Sequence, residues 1–405
     1  MSPSNQMFFS QRVLSLKPSA TIALTTKAKQ LKADGKDVIV LGAGEPDFDT
    51  PKNIKDFAKK AIDLGKTKYT PVAGTNELRQ AVVNKFKKEN NIDYKINEVI
   101  VGTGAKQVLF NVLMATVEGG DEVIIPAPYW VSYPDIVSLF GGANIFIKTK
   151  KENSFKATAV EIENAISSKT KWVILNSPSN PSGEVYTKEE LMSIAEVARR
   201  HKHVYFLCDD IYEHILYDGK FYTLAEIAPD LADRVFTLNG VSKSYSMTGW
   251  RIGYGAIKNA ELIKMLDNIQ SQSTSNPSSI SQEAALEALN GTQDFIATNM
   301  AIFKARRDMV VKALNDIQGI WTSLPSGAFY VFFSIEGLLG KKTSDGLTIT
   351  SCMDFTNYLL DKHLVAGVPG SAFGYENYIR ISYATSEAEL KTAMQRIKDA
   401  VDALI

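Results

Sequence analysis

Cysteine is nearly missing from this chain: Cys208 and Cys352 are the only two among 405 residues. Two such thiols imply neither a disulfide framework nor a cysteine metal site, and their scarcity fits a reducing cytoplasm. Charge of one sign is missing too. Lys+Arg and Asp+Glu both number 45, which gives a net charge of zero. With no dense basic run anywhere, that balance excludes a nucleic-acid surface. The sequence opens without a basic segment leading into a long apolar one, and no apolar run approaches membrane-spanning length. A soluble, unexported protein without a membrane partner is expected. Repeats, low-complexity tracts and a Pro/Ser/Gly linker between independent halves are lacking as well.

What is present is a hydrophobic content of 45%, ample for sizeable cores, in a length that suggests two or three domains. Short apolar runs alternate with longer amphipathic stretches. Seven runs read as strands: 99–101, 122–126, 145–147, 171–176, 204–209, 235–238 and 252–257. Between them, 105–117, 129–139 and 188–201 read as helices. In the last, Leu191, Ile194, Ala195 and Ala198 share one face, and Lys188, Glu189, Glu196 and Arg199 the other. This alternation predicts an α/β fold with a mostly parallel sheet covered on both faces. The last third differs. A polar helix over 294–315, a strand over 327–334, a helix over 352–363, a strand over 378–383 and a helix over 386–404 predict a smaller α+β domain. Ser386 and Glu389 are placed to form a capping box.

The most informative stretch runs from Asn239 to Gly253 and contains Lys243 in a Ser/Gly-rich turn between two strand-like segments. A lysine amine attacks a carbonyl only when neutral and held still. Arg251, eight residues on, adds a fixed positive charge that disfavours protonation of the amine and suits a phosphate. Upstream, the strand at 204–209 ends in Asp209-Asp-Ile-Tyr212. A carboxylate there lies where open α/β sheets place ligand contacts, and it is equally able to cap the next turn. The turn Asn176-Ser-Pro-Ser-Asn180-Pro-Ser-Gly183 presents amides that both donate and accept. Gly102-Thr-Gly104-Ala105-Lys106-Gln107 joins a strand to a helix, and its small residues let an anion approach the helix N-terminus. A dinucleotide fold is excluded here: the third glycine position is Gln107, and the second strand ends in Pro126-Ala-Pro. Trp130, directly after a strand end, can stack on a flat ring or pack in a core. Arg380, flanked by apolar residues in a strand, needs an anion, either a ligand carboxylate or a structural salt bridge.

Together these residues resemble the class I, fold-type I pyridoxal-phosphate aminotransferases, most closely the bacterial aspartate aminotransferases, some of which also act on prephenate. The resemblance runs from Lys17-Pro-Ser-Ala20 through Gly42–Phe48, Lys68–Gly74, the Asn-Pro turn and the lysine loop to Arg380. It implies a large cofactor-binding domain over 49–300 with a seven-stranded sheet flanked by helices, and a small domain from 1–48 and 301–405. It implies that Lys243 carries pyridoxal 5'-phosphate as a Schiff base and acts as the proton-moving base. Asp209 would pair with the pyridine nitrogen, Tyr212 and Asn180 would contact the ring oxygen, and Trp130 would stack on the ring. Gly104, Ala105, Lys106 and Arg251 would surround the phosphate. Arg380, Asn180 and the backbone at Gly44 would bind the substrate α-carboxylate, with Trp130 alongside. Tyr69 and Ser275 would reach the phosphate of a second subunit, which implies a homodimer with shared active sites. The partners implied are amino acids and 2-oxo acids.

Two departures bear on specificity. Gly240 stands where the better-known enzymes have serine, so Ser242 is the expected replacement at the phosphate. The stretch Ser271-Gln-Ser-Thr-Ser-Asn276 offers no arginine for a second substrate carboxylate; Lys106 is the candidate, with Lys17 near the mouth. A C–S β-lyase, a decarboxylase or a broader aromatic or alanine aminotransferase would keep the same cofactor residues. A DNA-binding regulator built on this body would need an N-terminal domain that about forty residues before Gly42 do not supply.

Overall fold

The computed structural model describes residues 8–14, 16 and 20–405. In chain order its strands are β1 (Ile39–Val40), β2 (Val99–Gly102), β3 (Glu122–Ala127), β4 (Ala143–Lys148), β5 (Thr170–Asn176) and β6 (Tyr205–Asp209). After these come β7 (Val235–Gly240), β8 (Gly253–Ala256), β9 (Tyr330–Ser334), β10 (Val365–Ala366), β11 (Val368–Pro369) and β12 (Tyr378–Ser382). The seven expected strands form one sheet in the order β2-β8-β7-β6-β5-β3-β4. All neighbours are parallel except β8, which runs antiparallel to both β2 and β7.

Period-two alternation divides the strand residues between two apolar layers. Ile124, Val173, Leu175 and Phe206 face one layer, where helices Asn76–Asn90, Lys188–Arg200 and Ser279–Asn290 contribute Phe86, Ile194 and Ala285. Val123, Ile125, Trp172, Ile174 and Leu207 face the other, with Val108 and Leu109 from Ala105–Thr116 and Leu266 from Ala260–Gln272. Being apolar on both faces, the central strands carry near-continuous hydrophobic runs, as parallel sheets require.

A further core lies in the last third. Helices Asp294–Asn315, Cys352–His363 and Glu387–Asp402 pack Phe303, Phe355 and Ile397 against the antiparallel sheet β11-β12-β9. The N-terminal segment joins it: β1 pairs in parallel with β10, which delivers the turn at Gly42–Glu45 to the end of the large sheet.

Two expectations need adjusting. The helix predicted from Tyr129 begins at Ser132, so Trp130 stays on the strand-to-helix connection with its ring free to face a cavity. At the last helix, the Ser386 hydroxyl accepts from the Glu389 N–H as expected. The Glu389 carboxylate, however, accepts from the hydroxyls of Thr385 and Ser386, so the box is not reciprocal at the backbone.

Candidate active site

A cavity of about 550 Å³ opens at the C-terminal ends of β5, β6 and β7, where such sheets gather ligand contacts. Its wall brings together Lys243, Asp209, Tyr212, Asn180, Arg380, Trp130, Lys106, Arg251, Ser242, Ala105 and Gly44, residues spread over more than three hundred positions of sequence. Gly104 stands just behind, against the Arg251 guanidinium. Tyr69 and Ser275 lie outside the wall, and Lys17 falls outside the described residues.

Lys243 follows β7 on the predicted turn. Its ammonium donates to the Gly44 carbonyl. The side chain is partly buried on the cavity wall, and desolvation by the surrounding protein lowers its pKa to about 8. Glu45 opposes that shift, while Arg380 and then Arg251 assist it. Arg251, expected from the sequence to help keep the amine neutral, contributes less than burial and less than Arg380.

Asp209 ends β6 with 5% of its surface exposed. Burial pushes its carboxyl up to about 6, and three groups hold it back: the Tyr133 hydroxyl, which donates at 2.6 Å, the Ile211 N–H, and the Lys243 charge. Asn176 braces the same strand end by donating to the Asp209 carbonyl at 2.8 Å, and its own side-chain oxygen accepts from the Asn180 N–H. Asn180 thereby projects its amide oxygen to Arg380 Nη1 at 2.9 Å, and Nη2 donates to the Gly42 carbonyl at 2.7 Å. Among the described residues no carboxylate pairs with Arg380, so the structural salt bridge allowed by the sequence is not what holds it. Its Nε is buried without a partner, a donor that an anion in the cavity would satisfy.

The opposite end is built for a second anion. Helix Ala105–Thr116 points its N-terminus into the cavity with no acidic residue in its first turn. Gly104 has φ +84°, and a Cβ there would collide with the Arg251 guanidinium; a Cβ at Gly253 would strike the Ala105 backbone. Gly240 is paired with Gly253, and a Cβ at 240 would come 3.0 Å from the Gly253 Cα and from the Ile252 carbonyl oxygen. That close approach accounts for the missing serine at 240 and leaves buried Ser242 as the hydroxyl on the wall. The Lys106 ammonium lies 4.7 Å over the Trp130 ring, and burial lowers its pKa, with Arg251 assisting.

A flat ring with a protonatable nitrogen and a phosphate arm matches this set: a lysine amine, a buried carboxylate, an aromatic face, and a helix N-terminus with Arg251. Pyridoxal 5'-phosphate has that shape and charge. The sequence alone points to neither Tyr133 nor Tyr330. Tyr133 lies three residues after Trp130, and its link to Asp209 depends on where the helix starts. Tyr330 enters from β9 through pairing with β12, which no local pattern reveals. Elsewhere, Glu89, Glu213 and His214 place ligand atoms within 4.8 Å of one another, with the Lys85 ammonium against Glu213.

The family model for aminotransferase class I and II matches residues 36–397. A probable aspartate/prephenate aminotransferase of Rickettsia conorii is 55% identical over 98% of each chain. Among solved structures, the aspartate aminotransferase of Rhizobium meliloti superposes with a TM-score of 0.96 at 51% identity, covering 98% of this chain and 99% of that one. The aspartate aminotransferase of Thermus thermophilus with maleate gives 0.91 at 40% identity, covering 97% and 99%.

Proposed function

This chain belongs to the class I and II aminotransferases, and on that premise we propose that it moves the amino group of aspartate to 2-oxoglutarate by a ping-pong cycle. The observation that carries the reading is the shared cavity of Lys243, with its lowered pKa, and Arg380, whose Nε lacks a partner. Pyridoxal 5'-phosphate, when bound, supplies the electron sink that makes the substrate Cα–H acidic. The chain's own residues do the rest. Lys243 carries the cofactor and then moves the proton between Cα and its acceptor carbon. Asp209 would hold the ring nitrogen's proton, Tyr212 and Asn180 would hydrogen-bond the ring oxygen, and Trp130 would stack on the ring. Ser242, Gly104, Ala105, Lys106 and Arg251 form the phosphate seat. Arg380 grips the α-carboxylate with Asn180 and the backbone at Gly44 beside it.

Lys106 is our candidate for the distal carboxylate, since its ammonium already lies over the Trp130 face with its hydration reduced. The Thermus enzyme was crystallised with maleate, a dicarboxylate, and the Rickettsia relative is named for prephenate as well as aspartate. Prephenate is therefore a further candidate amino acceptor, and arogenate and aromatic amino acids are further candidate donors; Lys17, the other candidate for this end of the substrate, lies outside the described residues. Tyr69 is 91% exposed and makes no hydrogen bond among the described residues, which suits a hydroxyl meant for the partner subunit of a homodimer; Ser275 shares that assignment. The division into 49–300 and 1–48 with 301–405, and a place in the cytoplasm, belong to the same proposal. Separate apolar cores and two free buried cysteines support them.

Purified holoenzyme given aspartate and 2-oxoglutarate should form glutamate and oxaloacetate in equal amounts. Pyruvate and ammonia from a cysteine conjugate, with no 2-oxo acid added, would support the C–S lyase reading instead.

A further inference from the structure

The strand β9 and its lead-in read Ala328-Phe-Tyr330-Val-Phe-Phe-Ser334, and only position 330 carries a phenolic hydroxyl. That hydroxyl is not at the surface. Tyr330 is fully buried by protein, yet it forms part of the cavity wall. Its oxygen lies 2.8 Å from that of Tyr212, ring edge to ring face at 5.8 Å, while its own ring lies 4.6 Å from the Arg380 guanidinium. Phe373 flanks the same guanidinium at 5.0 Å, so Tyr330 is not the sole cover of Arg380. Packing alone would be served there by phenylalanine, as at Phe329, Phe332 and Phe333. A buried hydroxyl is retained where it has work as a hydrogen-bond partner.

We propose that Tyr330 is a positioning residue for amino-group transfer, acting through Tyr212. The inference rests on the reading that Tyr212 donates to the ring oxygen of the cofactor. When Tyr212 spends its proton on that oxygen, its lone pair accepts the Tyr330 proton, so the two hydroxyls form a directed chain. A hydroxyl that accepts becomes a better donor, because linked hydrogen bonds polarise one another. Tyr330 thus fixes the rotation of the Tyr212 hydroxyl toward the cavity and strengthens its donation. The Arg380 guanidinium, 4.6 Å from the Tyr330 ring, favours partial negative charge on the Tyr330 hydroxyl oxygen.

Tyr330→Phe removes one oxygen and keeps the ring over Arg380. In the holoenzyme the visible absorption band of the bound cofactor is titrated with pH for Tyr330→Phe, Tyr212→Phe and the double variant. Weaker donation to an anionic ring oxygen raises the midpoint. Tyr212→Phe should raise it most. Tyr330→Phe should raise it by roughly 0.4–1 pH unit, the size of one neutral hydrogen bond. The double variant should match Tyr212→Phe alone. In Tyr330→Phe, kcat should fall roughly two- to tenfold with KM for aspartate changed less than about twofold. A midpoint shifted by Tyr212→Phe but not by Tyr330→Phe would overturn the proposal, and so would additive shifts in the double variant. A raised KM with an unmoved band would assign Tyr330 to Arg380 instead. A band that Tyr212→Phe leaves in place would remove Tyr212 from the ring oxygen and so fail the underlying reading.

Discussion

The Tyr133 hydroxyl donates to the Asp209 carboxylate at 2.6 Å; both side chains are buried, and the Tyr133 ring meets the Trp130 ring edge to face at 5.3 Å. Burial alone would carry Asp209 toward a neutral acid, and a neutral acid cannot hold a proton on a ring nitrogen. Tyr133 is the first of the groups that restrain this shift. Removing its hydroxyl should move the acid limb of the kcat/KM profile upward and lower kcat/KM at neutral pH by roughly tenfold, as for a lost charge-assisted bond. A Tyr133→Phe profile that overlays the wild type would dismiss this role.

The same burial makes Asp209 a cost to the empty protein. Its carboxyl titrates near 3.8 when unfolded and at about 6 when folded, so the folded state binds the extra proton between those values. Stability therefore falls as pH rises through that window. Asp209→Asn, which keeps an acceptor for Tyr133, should gain stability in the cofactor-free protein above pH 6, by roughly 3 kcal/mol at most. The gain should vanish near pH 4. Denaturant midpoints of both proteins across pH 4–8 give the comparison; a gain independent of pH would show that charge is not its source.

On the proposed function, Lys106 would take the distal carboxylate of a dicarboxylic substrate and Arg380 the α-carboxylate. Lys106→Ala should lower kcat/KM for aspartate and 2-oxoglutarate by about ten- to hundredfold, and for an aromatic amino acid far less. Steady-state kinetics on both substrate types decide it. Equal losses, or weaker cofactor binding alone, would leave Lys106 with the phosphate only.

Behind the site, Lys85 and Glu213 pair with 1% and 4% of their side chains exposed. Glu213 also accepts from Asn239 at 2.7 Å, so the pair props the end of β7 from which Lys243 departs. Lys85→Met should destabilise the protein by roughly 3–5 kcal/mol, because it strands a buried carboxylate, and Lys85→Met with Glu213→Leu should recover much of that loss. Chemical denaturation reads both. A single variant as stable as the wild type would deny the pair its structural role.

Much of the fold is written locally. The strands β5, β6 and β7 carry apolar runs because both their faces are covered, and their C-terminal ends and the turns that follow carry Asn176, Asp209 and Lys243 in legible motifs. Arg380 stood out because a charge among Tyr378, Ile379 and Ile381 demands an anion. What stayed hidden depends on pairing across the chain. Tyr330 reaches Tyr212 only through β9 and its neighbours, and Gly240 is explained only by Gly253 opposite it. The shift on Lys243 likewise comes from burial by distant segments, and Glu45, 198 residues before it in the chain, appears only once β1 is in place.

The central claim is that Lys243 carries pyridoxal 5'-phosphate as an imine. Borohydride reduction of the yellow holoenzyme, followed by proteolysis and mass spectrometry, tests it most directly. The account predicts one reduced adduct, on the peptide containing Lys243, loss of the yellow colour, and nearly abolished transamination in Lys243→Ala. An adduct on another lysine, or an active Lys243→Ala, would contradict it.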